Sequence, residues 1–372
     1  GNGAGVVIGI GDDAAILRAR AGEDLVLSTD ALVEGVHFRF ATQSPRAIGR
    51  RALVANLSDL AAMGARPLGW LLALAVPPSL PLRTFDAVLA GLLHEAAAHG
   101  CPLVGGNVAR ARQTSLSITV AGAVARGRAL TRRGARAGDR ILVTGSLGGA
   151  ALEVARALRG AGRVRRIPVP RLAAGRALAR LSGVGGCIDV SDGLEADLAH
   201  LLEPAGLAAE LDPARVPRPP GFAAACRRLG LDADRLALAG GEDYELLFTL
   251  RPGALATGRL ARRLGVPVAE IGRVVRRSGP AVSAMAPGSV IPRRNSATAG
   301  TPRASTMFST TARYSRASCV CRSVAGPSSA GSIWPHVASP VPGTPRPTVA
   351  RWRPRITRAS VPLRSRRTPH RL

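Results

Sequence analysis

The chain has 372 residues, enough for two domains, and 46% of them are apolar, so it can bury sizeable cores. All 51 basic side chains are Arg, and a chain without Lys can form neither a P-loop nor a Schiff base. The formal net charge of +27 is typical of nucleic-acid-binding proteins, but 18 of the arginines follow Glu270, where no acidic residue remains.

The first third of the chain predicts strands and helices by its hydrophobic periodicity. The predicted elements are strands at 6–10 and 25–29, helices at 46–64 and 83–99, and strands at 101–104 and 115–125. On the first of these helices the apolar residues share one face, and Asn56 and Asp59 fall on another. Gly100 stands where the second helix is expected to end.

A basic link, "RGRALTRRGARAGD", predicts a domain boundary near residue 136. The elements expected after it are a strand "RILVTG", helices "GGAALEVARAL" and 171–182, a strand at 186–190, a helix from 193, and strands at 207–211, 245–250 and 270–275. This alternation of strands and helices favours two α/β or α+β domains.

From about Ser283 the periodicity ends, and Ser, Thr, Pro, Ala, Gly and Arg dominate, a composition typical of disordered chains. An all-Arg chain rich in Ala and Gly suggests a GC-rich gene, and we interpret this tail as such a gene read in the wrong frame. Resequencing the coding DNA tests that interpretation. The chain also opens almost directly on a strand without Met, so we expect a missing N-terminal segment.

Membrane insertion is not predicted, because the most apolar stretch, "GWLLALAVPP", is cut short by Pro77 and Pro78. The sequence shows no signal peptide. The five cysteines are scattered, and only Cys319 and Cys321 are closely spaced, so we expect reduced thiols and a cytoplasmic protein.

Acidic residues recur directly after apolar, strand-like runs, beside small residues. These are Asp12, Asp13, Asp30, Asp189, Asp192 and Glu242. Plain structural roles are open for each motif: "GDD" as a turn, "SDGLE" as a helix cap, "GGED" as a hairpin turn, Asp30 at a strand end and Asp59 on a solvated helix face. Carboxylates gathered in one cleft would repel one another without cations between them. Such hard oxygen ligands suit Mg²⁺ held against phosphate.

A glycine-rich turn, "VTGSLGGAA", leads from a predicted strand into a predicted helix. Backbone N–H groups at such a helix start can hold phosphate, but a tight turn explains the glycines equally well. The six histidines show no metal-ligand spacing, although His37 follows Asp30 closely enough to face the same cleft.

Seven motifs together resemble the thiamine-monophosphate kinase family over roughly residues 6–282. They occur in the family's order: "GIGDDAA", "LSTDALVEGVHF", "NLSDLAAMGA", "VGGNVAR", "GRALTRRGARAGD", "IDVSDG" and "GGEDYEL". The resemblance implies transfer of a phosphoryl group from ATP to thiamine monophosphate, giving thiamine diphosphate. It also implies several Mg²⁺ ions, a homodimer and a cytoplasmic location.

The implied fold is α+β with α/β layers, in two domains like those of aminoimidazole-ribonucleotide synthetase. The implied divisions are an ATP- and Mg-binding dimerisation domain at 1–136, an α/β sandwich at 137–282 and a tail at 283–372. In the family a C-terminal aromatic residue returns to the thiamine pocket, but here the matching pattern stops near Val282.

Site roles follow from the resemblance position by position. The implied Mg²⁺ ligands are Asp13, Ser28, Thr29, Asp30, Asp59, Asn107, Asp189 and Asp192. The implied ATP contacts are Gly106, Asn107, Arg132 and Ser191, the substrate contacts are His37 and Glu242, and the catalytic residues are Asp59, Asp192 and Arg132. Asn107 stands where many relatives have Asp in a "GGD" motif, so one negative charge is absent there.

Two other interpretations stay open at this point. One is another ATP-using synthetase of the same superfamily, such as an aminoimidazole-ribonucleotide or selenophosphate synthetase. The latter would be expected to carry a reactive Cys and a Lys near its start, and this chain has neither there. The other is an Arg-rich nucleic-acid binder, which is less favoured because the ordered part lacks aromatics interleaved with its arginines.

Overall fold

The computed structural model describes residues 5–11, 13–280 and 282–284, all within one compact unit. The strands are β1 (Val6–Ile8), β2 (Ile16–Leu17), β3 (Glu23–Val33), β4 (Arg66–Val76), β5 (Leu103–Arg110), β6 (Ser115–Ala125), β7 (Arg140–Thr144), β8 (Val184–Asp189), β9 (Leu207–Leu211), β10 (Leu246–Leu250), β11 (Val268–Arg276) and β12 (Val282–Ala284). The helices are α1 (Pro45–Ala62), α2 (Leu82–Ala98), α3 (Gly149–Leu158), α4 (Leu172–Leu178), α5 (Leu194–Leu202), α6 (Phe222–Arg228), α7 (Ala233–Ala239) and α8 (Thr257–Leu264).

The N-terminal half is built on a four-stranded sheet in the order β3-β6-β4-β5, in which only β4 and β5 are parallel. Strand β4 was not predicted, because its run of apolar residues shows no polar alternation. In the fold Trp70 and Leu72 are buried against the helices, whereas Leu71 between them is exposed. The second face of this sheet is therefore partly open, and Leu17 and Ala19 cover the part that carries Ala121 and Ala123.

Helix α1 begins at Pro45, one residue before its predicted start, and its cap is Ser44, whose side chain accepts the N–H of Ala47. Asn56, on another face than the apolar residues, is fully buried. The helix is buried on nearly all sides because it packs against the four-stranded sheet and also against α4 and β8 of the C-terminal half.

The C-terminal half contains a six-stranded sheet in the order β12-β9-β11-β7-β10-β8, with β12 and β9 as its one parallel pair. Helix α4 is shorter than predicted, and α6, α7 and α8 were not predicted because their apolar patterns span only about two turns. The pairing of β12 with β9 continues the fold to Ala284. The rest of the expected tail, with its cysteines and aromatics, lies outside the described residues, as does Asp12.

The two halves meet along α1 and α4, where small residues permit close approach. A Cβ added to Gly175 would lie 2.0 Å from the carbonyl oxygen of Ala61, so a larger residue there would push the helices apart. One hydrophobic core runs through this contact and includes Leu57, Leu178 and Phe248. The close contact brings the end of α1 to the end of β8, where acidic residues of both halves lie.

The described cysteines, Cys101, Cys187 and Cys226, are free and buried. Within residues 5–11, 13–280 and 282–284, each helix is too short or too polar to cross a membrane.

Candidate active site

Two acidic side chains face each other where α1 meets β8, and a hydroxyl group donates to each. Ser28 Oγ on β3 donates to Asp59 Oδ2 at 2.5 Å, and Ser58 Oγ donates to Asp189 Oδ2 at 2.6 Å. A cavity of about 210 Å³ opens here, and its polar lining consists of Ser28, Asp59, Arg132 and Asp189. Four of the predicted site residues therefore share one cleft.

Burial makes these carboxylates costly to ionise. The pKa of Asp59 is raised to about 7, mainly by burial and also by the charge of Asp189, while Ser28 and Arg132 oppose the rise. Burial likewise raises the pKa of Asp189 to about 6, against the hydrogen bond from Ser58. The negative charge in the cleft is thus only partly compensated by the protein, and a cation would be stabilised there.

A second polar group, Asp30, His37 and Asp192, adjoins the first. Burial raises the pKa of Asp30, the imidazole of His37 opposes the rise, and the charge of Asp192 adds to it. The Nδ1 atom of His37 accepts the N–H of Val33 at 3.0 Å, which fixes the ring and assigns the proton of the neutral ring to Nε2. Because Asp30 also raises the pKa of Asp59, the two groups belong to one electrostatic site.

The helix-cap alternative for "SDGLE" is wrong. The N-cap of helix α5 is Gly193, and no side chain caps the helix. Asp197 Oδ2 instead accepts the backbone N–H groups of Ser191, Asp192 and Gly193 at 2.9, 3.0 and 3.2 Å. Sequence reasoning missed Asp197, because it lies inside the helix and folds back to the loop before it. The side chains of Ser191 and Asp192, both predicted site residues, therefore do not cap the helix.

The "GGED" motif forms a strained turn between α7 and β10, so the hairpin alternative is also wrong. Glu242 and Tyr244 have positive φ angles of 64° and 53°, which are uncommon for residues other than Gly. The N–H of Glu242 donates to the oxygen of Ser191 at 2.8 Å, and the N–H of Tyr244 donates to that of Val190 at 2.9 Å. The turn therefore lies directly on the loop that carries Ser191 and Asp192.

A side chain of this turn also binds the backbone at the start of α3. Asp243 accepts the N–H groups of Gly148 and Ala150 at the start of α3. The protein's own carboxylate thus occupies the glycine-rich turn, so phosphate binding is not supported there. Burial raises the pKa of Asp243 to about 6.

Two arginines hold the glutamates on either side of Asp243. Arg171 donates two hydrogen bonds to the buried Glu245, at 2.6 and 2.5 Å, and Arg51 on α1 donates to Glu242 at 2.5 Å. Sequence reasoning missed both arginines. Arg51 offered one signal, as a charged residue inside the apolar pattern of α1.

Two predicted site residues on β5, Asn107 and Gly106, do not line this cleft. Asn107 lies on β5, where it pairs with the exposed Ala73 of β4. Two strands separate β5 from β3, so one chain does not bring Asn107 to Ser28 or Asp30. Gly106 is needed by the sheet, since a Cβ there would lie 2.2 Å from the oxygen of Leu72.

Two further predicted Mg²⁺ ligands, Thr29 and Asp13, do not line the cleft. The hydroxyl of Thr29 lies 3.0 Å from that of Thr119 on the neighbouring strand. Asp13 lies between β1 and β2.

A larger cavity, about 340 Å³, lies at the start of α1 and is lined by Ser44, Arg46, Arg50 and Arg163 among others. None of the predicted site residues lines it. We therefore place the chemistry in the smaller cleft, where buried carboxylates and a cation meet.

Among the described residues, no group of three or more His, Cys, Asp and Glu side chains is arranged to enclose a metal ion. Magnesium usually takes one or two carboxylates from a protein and completes its shell with water and substrate phosphates. The Asp59 and Asp189 carboxylates, undercompensated and flanked by hydroxyl oxygens, fit that manner of binding.

The fold and site define an AIR synthase related protein: residues 11–124 match its N-terminal domain and residues 136–284 its C-terminal domain. The thiamine-monophosphate kinase of Escherichia coli is 40% identical over 287 residues, covering 72% of this chain and 84% of that protein. The chain belongs to the thiamine-monophosphate kinase family.

Solved structures agree with this membership. The crystal structure of thiamine-monophosphate kinase from Stenotrophomonas maltophilia matches with a TM-score of 0.67 and 38% identity, over 75% of this chain and 91% of that one. The structure of AaThiL complexed with AMPPCP and TMP matches with a TM-score of 0.64 and 28% identity, over 72% and 85% of the two chains.

Proposed function

We propose that the protein transfers the γ-phosphoryl group of ATP to thiamine monophosphate, giving ADP and thiamine diphosphate. One observation carries the proposal: relatives 34–40% identical to the chain are thiamine-monophosphate kinases, and the AaThiL structure holds an ATP analogue together with TMP. The convergence of Asp59, Asp189 and Arg132 in one cleft supports the same chemistry.

Physical chemistry assigns roles to these residues. The nucleophile is a phosphate oxygen, which is already anionic at neutral pH, so the reaction depends on alignment and charge neutralisation rather than on a strong base. Asp30, Asp59, Asp189 and Asp192 would hold Mg²⁺, which when bound neutralises the crowded phosphate oxygens. Arg132 adds positive charge beside the same cleft.

The substrate contacts complete the proposal. His37 and Glu242 would contact thiamine monophosphate, Glu242 through its negative charge toward the thiamine cation. Gly106, Asn107 and Ser191 would contact ATP, and Asp13, Ser28, Thr29 and Asn107 would supply further oxygens to Mg²⁺. These assignments rest on the family motifs, and the hydrogen bonds between the Glu242 turn and the Ser191 loop support a shared site.

Turnover of the purified full chain tests the proposal. With ATP, Mg²⁺ and thiamine monophosphate we expect thiamine diphosphate and ADP in equal amounts, measured by chromatography. Hydrolysis of ATP without thiamine diphosphate would contradict it, and turnover of formylglycinamidine or selenide substrates instead would favour a synthetase of the same superfamily. Tight RNA binding at physiological salt without turnover would favour the nucleic-acid alternative.

We also propose a homodimer formed by the open face of the N-terminal sheet. Leu25 and Leu27 on β3 and Leu71 on β4 are 57%, 67% and 42% exposed on the face away from α1, and exposed apolar patches mark protein interfaces. Asn107 is exposed opposite Ala73 on this sheet. It would therefore act as a ligand in a site that a second copy of the chain completes.

We expect Leu25→Arg to convert the dimer into monomers, because a desolvated guanidinium opposite an apolar surface opposes association. Light scattering coupled to size exclusion measures the mass. The control is Leu93→Arg, at a residue 49% exposed on α2, which should leave the mass unchanged. A monomeric parent protein, or equal effects of both substitutions, would refute the proposed interface.

The proposed domain boundary lies near residue 136, between the two family matches. The proposed location is the cytoplasm, where ATP is available to a biosynthetic kinase.

A further inference from the structure

One guanidinium connects the two halves of the protein beside the proposed substrate site. Arg51 of α1 is only 6% exposed. Its Nη2 donates to Glu242 Oε2 at 2.5 Å, and its Nη1 donates to the carbonyl oxygen of Arg166 at 3.0 Å. A single side chain of the N-terminal half thus fixes two segments of the C-terminal half.

The residue that Arg51 holds is conformationally unusual. Glu242 has a φ of 64°, a region that a non-Gly residue enters only when its surroundings impose it. Its side chain remains 39% exposed, whereas that of Arg51 is 7% exposed. The carboxylate is therefore anchored on its protein side and accessible to a ligand on the other.

We propose that Arg51 is a positioning residue for thiamine monophosphate, acting through Glu242 without touching the substrate. It holds the Glu242 carboxylate in the direction that meets the cationic thiamine. The inference rests on the proposed function, in which Glu242 contacts that cation. Arg suits this role better than Lys because its planar fork offers two donors in fixed directions, one for each acceptor.

If Arg51 only supported the fold, its removal would leave the KM for thiamine monophosphate unchanged. Because Glu242 is partly exposed, water can solvate its carboxylate once Arg51 is gone, so the fold loses little. The orientation of the carboxylate toward the substrate is lost, since nothing then opposes its rotation into solvent. Simple electrostatics predicts the opposite sign, because removing a cation near Glu242 would strengthen attraction of the thiamine cation.

The test is steady-state kinetics of Arg51→Met and Arg51→Lys in the full chain, varying each substrate while the other is saturating. We expect Arg51→Met to raise the KM for thiamine monophosphate about tenfold and Arg51→Lys about threefold. The KM for ATP should stay within about twofold. Adding Glu242→Gln to Arg51→Met should raise the KM no further than Glu242→Gln alone, because both act on one contact.

Arg50→Met is the matched control, since Arg50 is the neighbouring arginine on α1 and pairs with Glu95 of α2. It should leave the KM for thiamine monophosphate unchanged. An unchanged or lower KM in Arg51→Met, equal rises for both substrates, or the same rise in Arg50→Met would each overturn the inference. If Arg51→Met does not fold, Arg51→Lys is judged by the same criteria.

The outcomes also separate this inference from the proposed function. A parent protein that makes thiamine diphosphate, together with an Arg51→Met variant of unaltered KM, removes the positioning role alone. A parent protein that does not convert thiamine monophosphate removes the proposed function and this inference with it.

Discussion

We expect Asp59→Asn to lower kcat for thiamine diphosphate formation by about 10³-fold while raising the melting temperature of the ligand-free protein. Both effects have one cause, the charge of a carboxylate that burial and Asp189 make costly to ionise. The amide keeps the shape and accepts the hydroxyl of Ser28, so it removes the charge alone. The charge is what the proposed reaction needs to hold a cation against phosphate.

The stability effect has a definite pH dependence. The pKa of Asp59 is raised from 3.8 to about 7 in the folded protein, so the unfolded chain ionises first. Folding stability is therefore lost as the pH rises from about 4 to about 7, and Asn avoids that loss. A shift of about three pKa units corresponds to about 4 kcal/mol. Because Asp59 is only partly buried, solvent screens about half of this, so at pH 8 we expect a gain of about 2 kcal/mol and about 4–8 °C in melting temperature, and almost none at pH 4.

Calorimetry without ATP or Mg²⁺ at both pH values measures the stability effect, and a coupled assay measures kcat. Asp86→Asn, at an exposed position on α2, is the control and should change neither. A variant that keeps more than about a tenth of the parent's kcat would remove Asp59 from the catalytic set.

The sequence predicts those parts of the molecule that depend on local patterns. The hydrophobic periodicity from residue 46 predicts α1, and acids such as Asp189, at the end of an apolar run, lie in the cleft. Strand β4 escaped prediction because its uninterrupted apolar character gives no period, although it is central to the sheet. Local pattern thus identifies elements better than it identifies their environment.

Tertiary contacts explain the remaining failures. Asp197 binds the loop before its own helix, and Arg51 reaches Glu242 across 191 positions of sequence, so no short motif reveals either contact. Asn107 belongs to a site motif, but in the sheet two strands, β6 and β4, lie between its strand and β3. The types of residue in the motifs predict phosphoryl transfer. The order of the strands, which no motif reveals, determines which of these residues one chain brings together.

The largest stability effect is expected from Arg171→Met. It leaves Glu245, whose side chain is 2% exposed, without its partner in the interior. Removing one member of a buried pair costs about 3–5 kcal/mol, which corresponds to a fall of about 10 °C in melting temperature. The hydroxyl of Thr144 also donates to Glu245, at 2.7 Å, but a neutral donor does not compensate the charge.

A surface pair in the same half serves as the control. Arg273 and Glu210 also form an ion pair, but their side chains are 39% and 34% exposed. Arg273→Met should therefore cost less than about 1 kcal/mol, because water replaces the lost partner. Chemical denaturation of both variants, compared at equal m-values, measures the difference.

A double variant separates the uncompensated charge from the lost hydrogen bonds. If the cost of Arg171→Met comes from burying an unpaired carboxylate, adding Glu245→Gln should restore a large part of the stability, because the amide has no charge to solvate. If the cost comes from lost packing of the Arg171 stem, the second substitution should restore nothing. Since Glu245 lies three residues after Glu242, Arg171→Met should also weaken the affinity for thiamine monophosphate, and the rescued double variant should regain it. Full rescue of stability without that recovery would show that the Arg171 pair supports the fold while the geometry of the Glu242 turn is set elsewhere.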